Sequence, residues 1–178
     1  MTAYVELHCH SNFSLLDGAS HVESLVQRAF ELGQGALALT DHDAVYGAVR
    51  FAQAARAAGI QPIFGAELTL DGDDHLTLLV ENETGWHNLC WLISRARHNA
   101  PKGQAALPSG DLAGHTAGLI ALSGCRWGEI SAALLQRDWS TALSAARRLR
   151  DLFGPENFWI ELQNHRLPDD DLLNDKRI

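Results

Sequence analysis

Five separate stretches of this 178-residue chain carry side chains able to ligate a metal ion: His8, His10 and the following Asp17, then Asp41-His42-Asp43, then Glu67, His75 and Cys125. His8 and His10 are two apart, and in a strand such residues point to the same face, so both imidazoles can meet one ion. A carboxylate carries two acceptor oxygens, so Asp17 and Glu67 can each bridge two ions. A mixed imidazole and carboxylate set suits Zn, Mn or Fe, whereas an oxygen-rich set favours Mg. With this much imidazole, Zn or Mn is favoured and Mg stays possible. Closely spaced ions activate a water, orient a phosphoryl group and stabilise the leaving oxygen. The chemistry expected is in-line hydrolysis of a phosphoester by water. Neither a G-x-S-x-G elbow nor a P-loop competes with that reading.

Taken one at a time, these residues have ordinary explanations. His8 and His75 can be polar groups at strand edges, Cys125 a small buried hydrophobe, Asp17 part of an Asp-Gly turn and Glu67 a surface carboxylate. Their joint placement after successive strands is what argues for a site. Asp41 reads in two ways: as the carboxylate that receives the second N–H of a metal-bound His42, or as the cap of the next helix. Arg126, next to Cys125, reads either as a phosphate contact or as a surface residue. The turn Leu122-Ser-Gly-Cys125 precedes a helix, where backbone N–H groups can hold an anion. Asp17, Asp41 and Arg126 are the candidates for direct catalytic roles. His165 is a weaker candidate for substrate or metal contact, and His21, His87, His98 and His115 are read as non-catalytic.

The elements that must position these residues can be read from periodicity. Residues 4–8 alternate briefly and read as a strand ending at His8. Ser20 reads as an N-cap, with Glu23 completing a capping box. Val22, Leu25, Val26, Ala29 and Phe30 then follow at helical spacing, and Gly33 and Gly35 supply the stop. Residues 36–40 form an apolar run suited to a buried parallel strand. Residues 44–58 read as an alanine-rich helix closed by Gly59. Strands are expected at 60–64, weakened by Pro62, and at 68–70 and 75–80, with a tight turn at 71–74 between the latter two.

A helix over 85–97 places Trp86, Leu89, Leu92, Ile93 and Ala96 on its apolar side. Residues 99–114, with Pro101, Gly103, Pro108 and Gly110, read as a long loop with room for one short helical turn. A buried strand at 118–122, helices at 126–135 and 140–153, a strand at 158–162 and a polar helix from 168 to 178 complete the chain. Alternating strands and helices predict an α/β domain with a mostly parallel, helix-covered sheet or barrel. In such folds functional residues gather past the C-terminal ends of strands.

Composition bounds the partners. Lys+Arg 14 against Asp+Glu 22 gives a formal net charge of -8, which argues against gripping nucleic acid by backbone neutralisation alone. A phosphate substrate is still admissible, because bound divalent cations reverse the local sign of the field. Arg147, Arg148 and Arg150 lie on a helical pattern and read as a solvated face. Cys9, Cys90 and Cys125 have no spacing of a disulfide framework or zinc knuckle. No signal-peptide pattern and no long apolar run occur, so a reduced, cytoplasmic protein without a membrane span is expected.

The ordered combination of motifs resembles a known family. His8-Cys-His10 with Ser14-Leu-Leu-Asp-Gly18, and Leu39-Thr-Asp-His42 with Tyr46-Gly47, are similar to the PHP (polymerase and histidinol phosphatase) domain. Phe64-Gly-Ala-Glu67, His75-Leu-Thr-Leu-Leu79, Gly85-Trp-His-Asn-Leu89, Leu122-Ser-Gly-Cys125 and Phe158-Trp-Ile-Glu-Leu-Gln-Asn-His165 narrow the resemblance. They point to the N-terminal PHP domain of bacterial polymerase III alpha chains, especially the error-prone branch. The resemblance implies a distorted seven-stranded β/α barrel holding up to three divalent metals at its C-terminal rim. It maps the ligands onto His8, His10, Asp17, His42, Glu67, His75 and Cys125.

In some members such a domain has exonuclease or phosphatase-like activity, and in others it only supports a polymerase core. The resemblance thus implies DNA or a small phosphate ester as substrate, and a polymerase core or replication-repair proteins as partners. A catalytically inactive, metal-stabilised structural module is the alternative. Family domains continue through another helix and strand to an Asp and a His. Residues 1–178 are therefore expected to form one PHP domain truncated before that segment, an incomplete barrel with an exposed edge and no polymerase activity of its own.

Overall fold

The computed structural model describes residues 4–98, 100–101, 103–167 and 169–177. The apolar run after Gly35 is buried along most of its length and forms β1 (Ala36–Leu39). It follows α1 (Val22–Glu31), whose Val22, Val26 and Ala29 turn inward, and precedes α2 (Ala48–Ala58), which buries Phe51 and Ala55. These residues pack with Leu37, Leu39 and Ile60 into one apolar cluster under the two helices. Gly59 closes α2 in the left-handed conformation, φ 72°, that its lack of a Cβ permits.

A larger cluster lies on the other strands. β2 (Gln61–Thr69) and β3 (His75–Val80) are joined by the tight turn at 71–74, and α3 (Glu83–His98) covers them with Leu89, Leu92 and Ala96. A 3-10 turn at Ser109–Leu112 sits in the loop expected over 99–114, of which residues 99 and 102 lie outside the described set. β4 (Leu119–Leu122), α4 (Glu129–Leu135), α5 (Trp139–Phe153), β5 (Phe158–Trp159) and α6 (Asp170–Arg177) follow. The ends of the helix expected from 168 to 178 also lie outside the described residues.

Among the described residues five strands form one sheet in chain order, and residues 6–9 run along the outer edge of β1, where the Ala38 N–H bonds Glu6 O at 2.8 Å and the Thr40 N–H bonds Cys9 O at 2.9 Å. β1 and β2 are parallel, β2 and β3 antiparallel, β3 and β4 antiparallel, β4 and β5 parallel. The α/β class is borne out, but the sheet is mixed where a mostly parallel one was expected. The β2–β3 reversal follows from the four-residue turn after Leu70, too short for a crossover helix, whereas β3 and β4 are antiparallel although α3 lies between them. No described helix is long and apolar enough to cross a membrane.

Several boundaries moved for identifiable reasons. Residues 4–8 form no ladder; Glu6 makes one isolated parallel bridge to Leu37. The strands expected at 60–64 and 68–70 are one strand. Its Pro62 is harmless because the Gln61 N–H points to Gly35 O at 2.9 Å, which turns the Pro62 nitrogen away from β1, and pairing with β3 starts only at Gly65. The capping box of Ser20 and Glu23 does not form: His21 occupies the N-cap position without a side-chain bond. Glu23 is instead gripped at 2.8 Å by both Arg50 Nε and Nη2. α2 begins four residues later than expected, because residues 41–47 bend to serve the site. β5 stops at Trp159, since the Glu161 N–H bonds the Ser123 hydroxyl, 2.9 Å away, instead of a neighbouring strand.

Candidate metal centre

Glu67 lies near the end of β2, within a stretch buried on both faces, and only 2 % of its surface is exposed. An isolated carboxylate would be costly there. It is surrounded by imidazoles. Its Oε2 lies 3.5 Å from His8 Nε2, 3.2 Å from His10 Nε2 and 3.4 Å from His42 Nδ1, while Oε1 lies 3.2 Å from His75 Nδ1. His8 Nε2 and His10 Nε2 face each other at 3.2 Å. Asp17 Oδ2 lies 3.3 Å from His42 Nε2 and 3.6 Å from His10 Nδ1. Cys125 Sγ lies 3.5 Å from His75 Nδ1.

Separate elements bring these groups together. His42 sits between two carboxylates that fasten the backbone on either side of it. Asp41, buried, accepts the Ser11 N–H at 2.7 Å, the Ser11 hydroxyl at 2.8 Å and the Ser14 hydroxyl at 2.7 Å, which ties the 8–17 segment to the end of β1. Asp43 accepts the Thr69 N–H at 2.8 Å and its hydroxyl at 2.9 Å, which ties the same turn to the end of β2. Backbone bonds from Asp43 N to Glu67 O and from Glu67 N to Asp41 O complete a parallel bridge at His42. β3 opens with His75, and the turn after β4 delivers Cys125.

All seven ligand candidates line one cleft of about 320 Å³, together with Arg126, Trp127, Gln163 and His165. Arg126 leans toward α6, its guanidinium 3.6 Å from Asp169 and 3.9 Å from Asp170. Asp41 does not line the cleft: its oxygens serve Ser11 and Ser14, and neither of the two roles read from the sequence, the His42 partner or the helix cap, is among the contacts it makes. Two further residues were missed. Glu161 Oε1 lies 2.7 Å from His8 Nδ1, and Gln163 Nε2 donates to Glu161 at 2.6 Å. Their two-residue spacing just after the final strand was the available signal.

The charge balance of the cluster follows from this packing. Burial alone would raise the Glu67 carboxyl, yet His10, His75 and His8 around it hold it well below the usual carboxylate range. Burial likewise opposes a proton on His8, but the neighbouring Glu161 and Glu67 outweigh it and push the imidazole up to about 10. His75 is raised in the same sense by Glu67 against its own burial. Burial, with Glu67 nearby, pushes the Cys125 thiol up.

The donor set fits divalent cations. Among the described residues, three groups each hold ligand atoms within 4.8 Å of one another: His8, His10 and Glu67; His10, Asp17 and His42; His42, Glu67 and His75. They share His10, His42 and Glu67 as corners. Glu67 Oε1 is shielded from water and makes no hydrogen bond of good geometry, as suits an oxygen whose partner is an ion. Its neighbours stand 3.2 to 3.5 Å from the carboxylate, farther than a strong charge-assisted hydrogen bond but close to the spacing of adjacent ligands on one cation.

Comparison with known proteins agrees with this geometry. A model of the PHP domain matches residues 6–165. The chain is 47% identical over 188 aligned residues to an error-prone DNA polymerase of Symbiobacterium thermophilum, which covers 97% of this chain and 17% of that protein. It is 41% identical over 182 to the DNA polymerase III subunit alpha of Treponema pallidum, covering 94% of this chain and 16% of that protein. The chain thus spans about a sixth of the length of these relatives. Its fold is similar, with a TM-score of 0.52 at 18% identity, to a two-domain Bacteroides vulgatus protein containing a predicted PHP-like metal-dependent phosphoesterase, over 81% of this chain and 41% of that one.

Proposed function

This chain belongs to the PHP domain family, and from that premise we propose that it is a metal-dependent phosphoesterase-type domain that works beside an error-prone DNA polymerase core. The observation that carries the proposal is a single buried carboxylate, Glu67, facing four imidazoles from three different segments. Association with a polymerase is supported by the polymerase relatives; a DNA end or a small phosphate ester is the substrate class that the chemistry admits.

In this reading His8, His10, Asp17, His42, Glu67, His75 and Cys125 hold the ions. The mixed imidazole and carboxylate donors favour Zn or Mn over Mg, which prefers an oxygen shell. Such ions supply a deprotonated water and polarise the phosphoryl oxygen. The protein supplies the rest. Glu67 orients the imidazoles from beneath, and Asp17, 58 % exposed along its side chain, stands at the open side where it can receive a proton from an incoming water. Arg126, on the cleft wall, would hold a non-bridging phosphate oxygen on leaving its ion pairs with Asp169 and Asp170.

The test is direct. The purified chain, loaded with Mn or Zn and with bound metal quantified, is expected to hydrolyse a generic phosphoester, and Asp17→Asn is expected to remove that turnover. Full activity in the variant, or none in protein that holds its metal, would reject the assignment.

A further inference from the structure

We propose that Ser14 is a positioning residue that locks His10 into the tautomer whose Nε2 lone pair faces the metal centre. The proposal deepens the reading of the cleft as a cation site and rests on it.

A serine hydroxyl has one hydrogen to give and two lone pairs to offer. Ser14 Oγ has three partners: Asp41 Oδ1 at 2.7 Å, the His42 backbone nitrogen at 3.1 Å and His10 Nδ1 at 2.9 Å. A peptide N–H can only donate, so His42 takes one lone pair. The ionised Asp41 can only accept, so the single hydroxyl hydrogen goes to it. One lone pair remains for His10, and Nδ1 must therefore carry the hydrogen. A neutral imidazole has only one N–H, which leaves Nε2 bare. Nε2 is the atom that lies 3.2 Å from Glu67 Oε2 and 3.2 Å from His8 Nε2.

The arrangement depends on Asp41. Without that acceptor the hydroxyl could rotate, donate to Nδ1 and invert the tautomer. Ser14 and Asp41 are both almost wholly buried, so water is not at hand to replace either partner. The Ser11 N–H and hydroxyl fill the remaining acceptor positions that face them on Asp41, which holds its orientation. At His8 a carboxylate takes the place that Ser14 takes at His10: Nδ1 lies 2.7 Å from Glu161 Oε1. Asp41 thus acts on the centre through Ser14 and His10, not through the adjacent His42.

Long-range proton–nitrogen NMR of the zinc-loaded, nitrogen-15-labelled chain reads the tautomer without any substitution. The expected result is a hydrogen on His10 Nδ1 and coordination through Nε2. Competitive zinc titration then compares variants: Ser14→Ala should weaken binding about 10–100-fold, and Ser14→Thr, which keeps the hydroxyl, should recover most of it. A hydrogen on Nε2 in the wild type, or a folded Ser14→Ala with unchanged affinity and unchanged tautomer, overturns the proposal. In those outcomes zinc still binds, and the cation reading survives. A wild-type chain that binds no zinc overturns both.

Discussion

Glu67 and the residues behind its imidazoles set the chemistry at the smallest scale. A buried carboxylate would ordinarily be expensive, and Glu67 stays ionised because four imidazoles converge on it. Outer partners then decide which face each ring presents. Glu161 is the clearest of them, 2.7 Å from His8 Nδ1 and backed by Gln163. Glu161→Ala is expected to lower metal affinity by about 10–100-fold, since such partners fix the ring and raise its basicity. Metal titration of the folded variant checks this, and wild-type affinity would show that Glu161 has no part in the centre.

At the scale of elements, the site depends on turns more than on ladders. Gly124, at φ 80°, lets the chain leave β4 so closely over β3 that an added Cβ would stand 2.5 Å from His75 O. Gly124→Ala should therefore destabilise the chain by about 1–3 kcal/mol and push Cys125 away from His75. Urea unfolding and metal stoichiometry together test it: an unchanged count of bound ions would mean that this corner is not a ligand site. The helix α5 depends on its cap. Asp138 accepts the Thr141 N–H at 3.0 Å, and that bond with the backbone holds its carboxyl below the ordinary 3.8. A folded-state value below the unfolded one adds stability above pH 3.8 that is lost as the pH falls toward the lowered value. Asp138→Ala should lower the melting midpoint by a few degrees near neutrality, with the gap closing in acid. A gap that persists at low pH would assign the effect to something other than the charged cap.

For the whole molecule, a bound metal is expected to be linked to the fold. The candidate ligands come from the 8–17 segment, the ends of β1 and β2, the start of β3 and the turn after β4, so an ion held among them would tie together the two larger apolar clusters of the sheet. A cation that binds only the folded chain at one hundred times its dissociation constant adds about 2.7 kcal/mol. For a domain of this size that corresponds to a rise in melting midpoint of roughly 5–10 °C, reversed by a chelator. A melting curve indifferent to zinc and to chelation would remove the coupling.

The local patterns in the chain determined the helices, most strands and the types of residue that meet at the strand ends, because periodicity and turn chemistry act within a few neighbours. His75 opening its strand and Cys125 following the 119–122 run were legible in this way. The tight turn at 71–74 already implied the β2–β3 reversal, but the antiparallel β3–β4 pair across α3 was not legible, since strand direction follows from which neighbour a strand finds. Nor was the work of Asp41: read beside His42, it is held instead by Ser11 and Ser14, some thirty residues earlier in the chain. Hydrogen-bond partners far apart in sequence are selected by packing, and only the folded molecule brings the serine, the carboxylate and the imidazole into line.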